Sequence, residues 1–542
     1  MYNPCVPLPD SPRSNLRRNN MEVVVKLEIP AGKIPADPAD FLRKRTVQAC
    51  GIASANLINF KILKRSLDAR KKPDVRVIYS ILAELKDSTV PVNATEPPPP
   101  KTEPWHLPEV KHPVQNPVIV GAGPAGLFAG LVLASAGCNP IILERGKDVD
   151  RRKVDIDQFF ADRQVNTESN FLFGEGGAGT WSDGKLFTRI RDPRCDYVLQ
   201  QFVEAGAIPE ILYYAHPHLG SDKLPEIIAN IRKKIIALGG TFLWDTRVES
   251  VNPGIEFEYV TLSNGEKIHA PAAIIGCGHS ARNLITSLTK YGVAYRMKGF
   301  QLGCRIEHPS GFINRSQFGV ETPCAALGAA EYTLSSRPFG AGNGATTFCM
   351  CPGGEIIPAV CEAGRLCTNG MSNAARDGAF SNAAIVTTLQ EGLFRTPAEA
   401  FAFLEEIETA AYQSGGKDFV APAQRALDFV YGKTGSLPRE TSYRCGIVPR
   451  RLDALLPDPV RFSLSGALRH FDKICKGFAK EGTLIGIETR VSSPVRFERD
   501  PETLMSSMKN LYIGGEGGGC AGGIVSAAVD GIKLAEALLK NR

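Results

Sequence analysis

The chain has 542 residues, 43% of them hydrophobic and 22% charged, with a formal net charge of +6. That length holds two or three domains and a large core, and the charge is too mild for a dedicated nucleic-acid protein. Its 14 cysteines include no CxxC and no Cys/His zinc spacing, so no metal site is expected and the thiols read as reduced and buried in a cytoplasmic protein.

Residues 1–20 are polar and rich in Pro, Arg and Asn, without the apolar stretch of a secretory signal, and read as a disordered leader. Residues 21–88 predict a small α+β unit in the order β-α-β-β. Its strands are Val23 to Ile29, Phe60 to Leu67 and Val75 to Leu85. Its helix is Pro38 to Ala49, capped by Asp37 or Asp40. Lys61, Lys64, Arg65, Arg70, Lys71, Lys72 and Arg76 have no interleaved aromatic platform, so they read as a solvated face and make nucleic acid an unlikely partner. Residues 89–116, with Pro97 to Pro100, predict a stiff extended linker.

The densest signal follows. Val118 to Val120 reads as a short β-branched strand, then Gly121-Ala122-Gly123-Pro124-Ala125-Gly126 as a tight turn opening a helix, then Ile141 to Leu143 as a second strand ending at Glu144 and Arg145. Gly121 permits the turn, Gly123 lets a pyrophosphate approach the main chain, and Gly126 lets the helix pack close. The helix N-terminus, beginning at Pro124 and Ala125, then faces the diphosphate. Glu144 lies 23 residues after Gly121, where a carboxylate can accept from ribose hydroxyls. The uncharged run Pro113 to Leu143 is long enough to span a bilayer. Three prolines (117, 124, 140) and five glycines break it, so no membrane span is expected.

Three further segments carry chemistry. Phe173 to Leu186 places Gly174, Gly176, Gly177, Gly179 and Gly184 among Thr180, Ser182 and Asp183, as suits a loop whose backbone touches a ligand. Pro271 to Ile275 reads as a strand entering the turn Gly276-Cys277-Gly278-His279. That turn is either a strand-end contact to the first nucleotide, the preferred reading, or a second dinucleotide site. His279 could donate a proton or only pack. Leu511 to Ile513 reads as a strand entering a loop of seven glycines with Glu516 its one acid, and then a helix from Ile524. There Glu516 can accept from a polyol, and the helix N-terminus can stabilise negative charge on a ring. Cys349 and Cys351 stand as CxC; they share a strand face but read as two packed thiols more readily than as a redox pair.

FGEGGAGTWSDGKL (173–186), GCGHSAR (276–282), FCMCPGGEIIPA (348–359), ETRVSSPVRFERD (488–500) and GEGGGCAGGIVSAAVDG (515–531) together resemble the uncharacterised FAD-dependent dehydrogenases, a family with a glutathione-reductase-like FAD fold. SLDARKKPD (66–74) resembles the domain that precedes the FAD domain there. Cys520 departs from the aromatic residue expected at its position. The resemblance implies non-covalent FAD. Gly121, Gly123, Gly126 and Glu144 would hold its ADP half. Gly176, Gly177, Gly179, Thr180 and Ser182 would line the ribityl and ring. Gly276, Gly278 and Arg282 would close over the nucleotide, while Gly515, Glu516, Ala521, Gly522, Gly523 and Ile524 would meet the ribityl and pyrimidine edge. Glu488, Arg490 and Ser492 would lie near the substrate or form a buried ion pair in a strand.

The expected architecture is α/β: a Rossmann-like FAD domain in two segments, 117–300 and 483–542, an inserted α+β substrate domain, 301–482, and the small N-terminal α+β domain. The expected function is an FAD-dependent oxidoreductase moving a hydride between a small organic substrate and the flavin, with the electron partner open and NAD(P)H a candidate. Two alternatives stand beside it. One is an NAD(P)H-dependent flavin reductase using residues 276–282. The other is a non-catalytic FAD protein whose basic N-terminal domain docks RNA or a protein.

Overall fold

A computed structural model describes residues 20–86, 90–97 and 103–541. The expected leader and the core of the expected linker, Pro98 to Pro100, fall outside the described residues. The chain divides into two compact units, the smaller comprising the described residues of Met1–Asp68 and Arg76–Lys101, the larger Ala69–Val75 and the described residues of Thr102–Arg542.

In the smaller unit, strands Asn20–Pro30, Leu57–Asp68 and Arg76–Lys86 form one antiparallel sheet with Arg76–Lys86 in the centre. The alternation of Val23, Val25, Leu27 and Ile29 puts every second side chain in the core. The helix Ala39–Cys50 follows Pro38, and Asp37 Oδ1 accepts from Ala39 N at 3.2 Å. The expected order β-α-β-β is present, with each boundary within three residues. Lys61, Lys64 and Arg76 are exposed, as are Arg70, Lys71 and Lys72 in the segment Ala69–Val75 of the larger unit.

The larger unit is organised by two sheets. The first is parallel, in the order Leu511–Ile513, Ala273–Ile275, Val118–Val120, Ile141–Leu143, Thr241–Leu243. Its strands VIV and AII and the edge strand LYI are buried throughout, the signature of a parallel sheet covered on both faces. The helix Pro124–Ser135 shares a core with Ile524–Lys540 through Leu127, Leu131, Val132, Val525, Ala528 and Val529. The two helices approach closely because Gly531 lacks a side chain: a Cβ there would lie 2.0 Å from the Ala125 carbonyl oxygen. This is the Rossmann-like α/β architecture expected, with strands from both ends of the sequence.

The second sheet runs in the order Ala345–Cys351, Phe380–Leu389, Phe300–Pro309, Thr483–Glu488, Ala421–Arg425, Ile447–Pro449, antiparallel except for the last pair. Thr483–Glu488 therefore belongs to the inserted domain, so the chain returns to the first sheet later than the expected boundary at 483. Tyr295–Met297 pairs antiparallel with Val495–Phe497, outside the parallel sheet. The segment after Gly276-Cys277-Gly278 thus starts no second parallel unit. Among the described residues no helix is long and apolar enough to cross a membrane.

Candidate functional site

The four glycine segments, spread over roughly 400 residues, converge at the carboxyl ends of the parallel strands. Gly121, at φ +101°, leaves Val120 so tightly that a Cβ would lie 2.6 Å from the Gly276 carbonyl oxygen. A Cβ on Gly126 would lie 1.8 Å from the carbonyl oxygen of Gly121, and one on Gly276 would lie 3.3 Å from the Gly126 nitrogen. Gly176 N donates to Ala122 O at 2.8 Å, and a Cβ on Gly177 would lie 3.3 Å from the Gly123 Cα. A Cβ on Gly515 would lie 3.1 Å from that of Ala125, and one on Gly179 would lie 3.3 Å from Ile524 Cγ1.

Gly123 is different. Its backbone, φ −75° and ψ −177°, suits any residue, and a Cβ there would find no heavy atom nearer than Gly177 Cα at 4.0 Å. Nothing in the protein itself requires glycine at this position. It is also the N-cap of Pro124–Ser135 and offers no capping side chain, which leaves the first helical N–H groups to a ligand. A dinucleotide phosphate fits this opening.

Glu144 is buried, and its carboxylate accepts from three backbone donors: Ala122 N at 2.8 Å, Gly146 N at 3.0 Å and Gly174 N at 3.0 Å. It ties the first glycine turn to the second loop, a role that the spacing argument did not contain. Glu144→Ala strands three amides, and an unsatisfied buried donor costs about 1–3 kcal/mol. The variant is expected to lose both unfolding midpoint and FAD affinity, and Glu144→Gln is expected to recover part of each. A variant with parental stability and parental FAD affinity would refute this.

Other expected site residues serve the scaffold. Arg145 Nε pairs with Glu168 at 2.9 Å, and its guanidinium lies 3.8 Å from the Phe173 ring centroid. Thr180 Oγ1 donates to Glu175 O at 2.9 Å, and Ser182 Oγ donates to Gly179 O at 2.7 Å, so both hydroxyls are used within their own loop. Arg282, expected over the nucleotide, forms a buried two-pronged pair with Glu408, Nη2–Oε1 2.6 Å and Nη1–Oε2 3.2 Å. Glu516 accepts from Ser493 N at 3.0 Å, and burial raises its pKa. Gly522 lies under this carboxylate, where a Cβ would come within 2.4 Å of Oε2. Gly278, at φ +71°, and Gly523, before the helix Ile524–Lys540, border open space or a lone Ser526 hydroxyl. Glu488 pairs with Arg305, and Arg490 pairs with Glu362 and Glu408. Ser492 Oγ accepts from Gln301 N at 3.1 Å. His279 Nε2 is buried without a partner among the described residues. Burial, then Arg490 and Arg282, push its pKa down to about 4, so it is neutral at pH 7 and no charged proton donor.

Three organising residues escaped the sequence reading. Asp530 Oδ2 accepts from Gly515 N at 2.8 Å and fixes the last loop. Arg152, fully buried, donates to Asn170 O at 2.8 Å, Glu175 O at 2.7 Å and Gly177 O at 2.9 Å, while its Nη2 has no partner among the described residues. Burial lowers its pKa to about 9. Glu175 accepts from Val149 N at 2.9 Å and lies 3.0 Å from Arg232 Nε. Burial raises Glu175 from 4.5 to about 7. A carboxyl raised on folding contributes stability in full below its unfolded pKa and loses it as the pH climbs through the folded one. The parent is therefore expected to lose more Tm between about pH 5.5 and about pH 8 than Glu175→Gln does. Equal losses in thermal unfolding would show that Glu175 does not titrate in this range.

The converging glycine loops on a parallel α/β sheet define a dinucleotide-binding protein. Residues 299–491 match the family described as "FAD-dependent protein, C-terminal domain-like", and residues 21–84 match a domain of unknown function. A protein of Clostridium beijerinckii, described as uncharacterised, is 38% identical over 524 residues, covering 93% of this chain and 96% of that protein. The chain belongs to the same family as that protein, and FAD is its cofactor. Among solved structures it is similar to glycine oxidase from Geobacillus kaustophilus at 10% identity and TM-score 0.34, over 80% of this chain and 96% of that one. It is similar also to glycerol-3-phosphate dehydrogenase from Bacillus halodurans complexed with FAD at 9% identity and TM-score 0.35, over 80% and 66%.

Proposed function

We propose that the chain is an FAD-dependent oxidoreductase, of the glutathione-reductase-like kind, that moves a hydride between a small organic substrate and the flavin. The observation that supports this most is Gly123: a glycine that the fold does not require, at an open helix N-terminus, where four loops meet. In this reading Gly121, Gly123, Pro124, Ala125 and Gly126 cradle the pyrophosphate, and the remaining lone pairs of Glu144 take the adenosine ribose. The backbone of Gly176 to Ser182 and of Gly515 to Ile524 lines the rest, with the dipole of Ile524–Lys540 favouring negative charge. Bound FAD supplies the two-electron chemistry, and the protein supplies position and electrostatics. The runner-up, a flavin reductase with its own NAD(P)H site at 276–282, loses support from the strand Ala273–Ile275, which lies inside the same sheet as the first fingerprint.

The test is an anaerobic screen of small organic substrates against purified yellow holoprotein, read as loss of the flavin's visible absorbance. Bleaching by an alcohol, amine or acid substrate supports the proposal. Bleaching by NADH or NADPH alone would favour the reductase, and holoprotein that nothing bleaches would overturn hydride transfer.

A further inference from the structure

Cys349 and Cys351 lie outside the residues assigned to the flavin site, yet their surroundings are built. Neighbouring strand residues two apart lie about 6.6 Å from one another, near the far limit of about 6.8 Å for Cα atoms bridged by a disulfide. Here the strand is irregular. Its register against Phe380–Leu389 slips between Phe348 and Cys351, and Cys349 adopts φ +43°. Cys351 Sγ lies 3.3 Å from the Cys349 carbonyl oxygen.

Two cations converge on the pair. Arg305, fully buried, donates from Nη2 to Cys349 O at 2.6 Å and to Cys351 Sγ at 3.2 Å. Lys185, from the second glycine loop, donates to the Met350 carbonyl oxygen. The facing acids are partnered: Glu488 with Arg305 at 3.1 Å, and Asp183 with Lys185 at 2.6 Å and with Arg376. Two more buried polar atoms, Asn382 Nδ2 and Ser372 Oγ, have no partner among the described residues. Asn382 is the cross-strand neighbour of Cys351, and a Cβ on Gly354 would lie 2.5 Å from Ser372 Oγ and 3.1 Å from Cys351 Cβ. The Cys351 thiol, opposed by burial and aided by Arg305 and Lys185, holds Cys349 well below the usual thiol range, while burial and the same partner raise Cys351. Cys349 is part-exposed and Cys351 buried.

We propose that Cys349 and Cys351 form a thiol–disulfide redox site, with Cys349 the attacking thiolate, Cys351 the resolving thiol, and disulfides of small thiols the substrates. The inference does not rest on the flavin reading. In the first step Cys349 Sγ attacks one sulfur of the substrate disulfide. That S–S bond breaks, a mixed disulfide forms on Cys349, and the first small thiolate leaves and takes a proton from water. In the second step Cys351 gives up its proton and attacks Cys349 Sγ. The mixed bond breaks, the second small thiolate leaves with that proton, and a Cys349–Cys351 disulfide remains. Two electrons pass from the protein's two sulfurs to the substrate. A ring closed over one intervening residue is strained and readily reduced, so a dithiol such as dithiothreitol returns the site to its starting state.

The experiment uses the purified holoprotein. Iodoacetamide alkylation, followed peptide by peptide by mass spectrometry, is expected to modify Cys349 at a rate already level above about pH 6.5, where an ordinary thiol's rate still climbs. Oxidised glutathione is expected to convert the parent to the Cys349–Cys351 disulfide. Cys351→Ser is expected to stop with one glutathione on Cys349, and Cys349→Ser to take none at this site. A Cys349 rate that climbs like an ordinary thiol's, or glutathione treatment that leaves both sulfurs unlinked in the parent, overturns the proposal. Both of those readings use the unsubstituted protein, so a variant that fails to fold does not shield it.

Discussion

Gly123→Ala is expected to fold like the parent and to lose FAD, whereas Gly126→Ala is expected to fail in folding itself. The two glycines stand three residues apart in one fingerprint, but their reasons differ. At Gly126 the added Cβ would sit 1.8 Å from the carbonyl oxygen of Gly121 and 3.0 Å from its carbonyl carbon. The strand-to-helix turn must open to admit it, and overpacking of that kind costs about 1–3 kcal/mol or more. At Gly123 the backbone is unstrained and the nearest atom to the new methyl is 4.0 Å away. The methyl is harmless to the apoprotein but occupies the space through which a pyrophosphate reaches the helix N-terminus. A loss of about 2.8 kcal/mol in binding would weaken FAD by about a hundredfold. Circular dichroism and urea midpoints of apoprotein, beside flavin content after gel filtration, separate the two effects. A Gly123→Ala protein that stays as yellow as the parent would remove the observation on which the proposed function rests.

The parts of this site legible in the sequence are those that local chemistry dictates. Short apolar strands followed by glycine turns can be recognised one at a time, and all four proposed loops lie at one end of one sheet. Gly121 and Gly126 could be assigned close packing from spacing alone. What spacing could not give is the partner across the fold. Arg152 sits in Val149–Asp162 beside Arg151 and Lys153, a run that looks like a solvated helix face. It is buried only because residues 170–177 wrap over it and present their carbonyl oxygens. Glu144 was legible as an acid at a strand end, but the three amides it accepts come from turns on either side of it in sequence. The family resemblance of residues 276–282 implies Arg282 over the nucleotide. Its true neighbour, Glu408, lies 126 residues on in the inserted domain. The boundary at 483 erred for a related reason: Thr483–Glu488 is an apolar strand like those of the first sheet, and only its pairing with Phe300–Pro309 assigns it to the second.

Glu408→Ala is expected to be the most destabilising single substitution in the inserted domain without touching the flavin cradle. Glu408 lies on the helix Pro397–Ser414 and is fully buried. Its carboxylate receives Arg282 Nη2 at 2.6 Å, Arg490 Nη2 at 3.2 Å and the Thr489 hydroxyl at 2.6 Å. Burial alone would raise its pKa, but Arg490 and Arg282 more than offset that and lower it, so the carboxylate is charged. Two guanidiniums, each nearly inaccessible, share this buried anion; outside it Arg282 has only a 3.5 Å contact to Glu405 and Arg490 a 2.7 Å contact to Glu362, both partly exposed. Removing one partner of a buried ion pair costs about 3–5 kcal/mol, and here Arg282 would keep only its long contact to Glu405. The same reasoning predicts that replacing all three ionic groups with apolar residues of similar volume, Arg282→Met, Glu408→Leu and Arg490→Met together, costs less than Glu408→Ala alone. It also predicts that Arg282→Ala and Glu408→Ala combine to less than their sum, since each removes the other's partner. Urea unfolding of the four proteins tests this. Midpoints for Glu408→Ala within about 1 kcal/mol of the parent, or strictly additive losses in the pair, would mean that the network is solvated in solution and that Arg282 is free to serve the nucleotide after all.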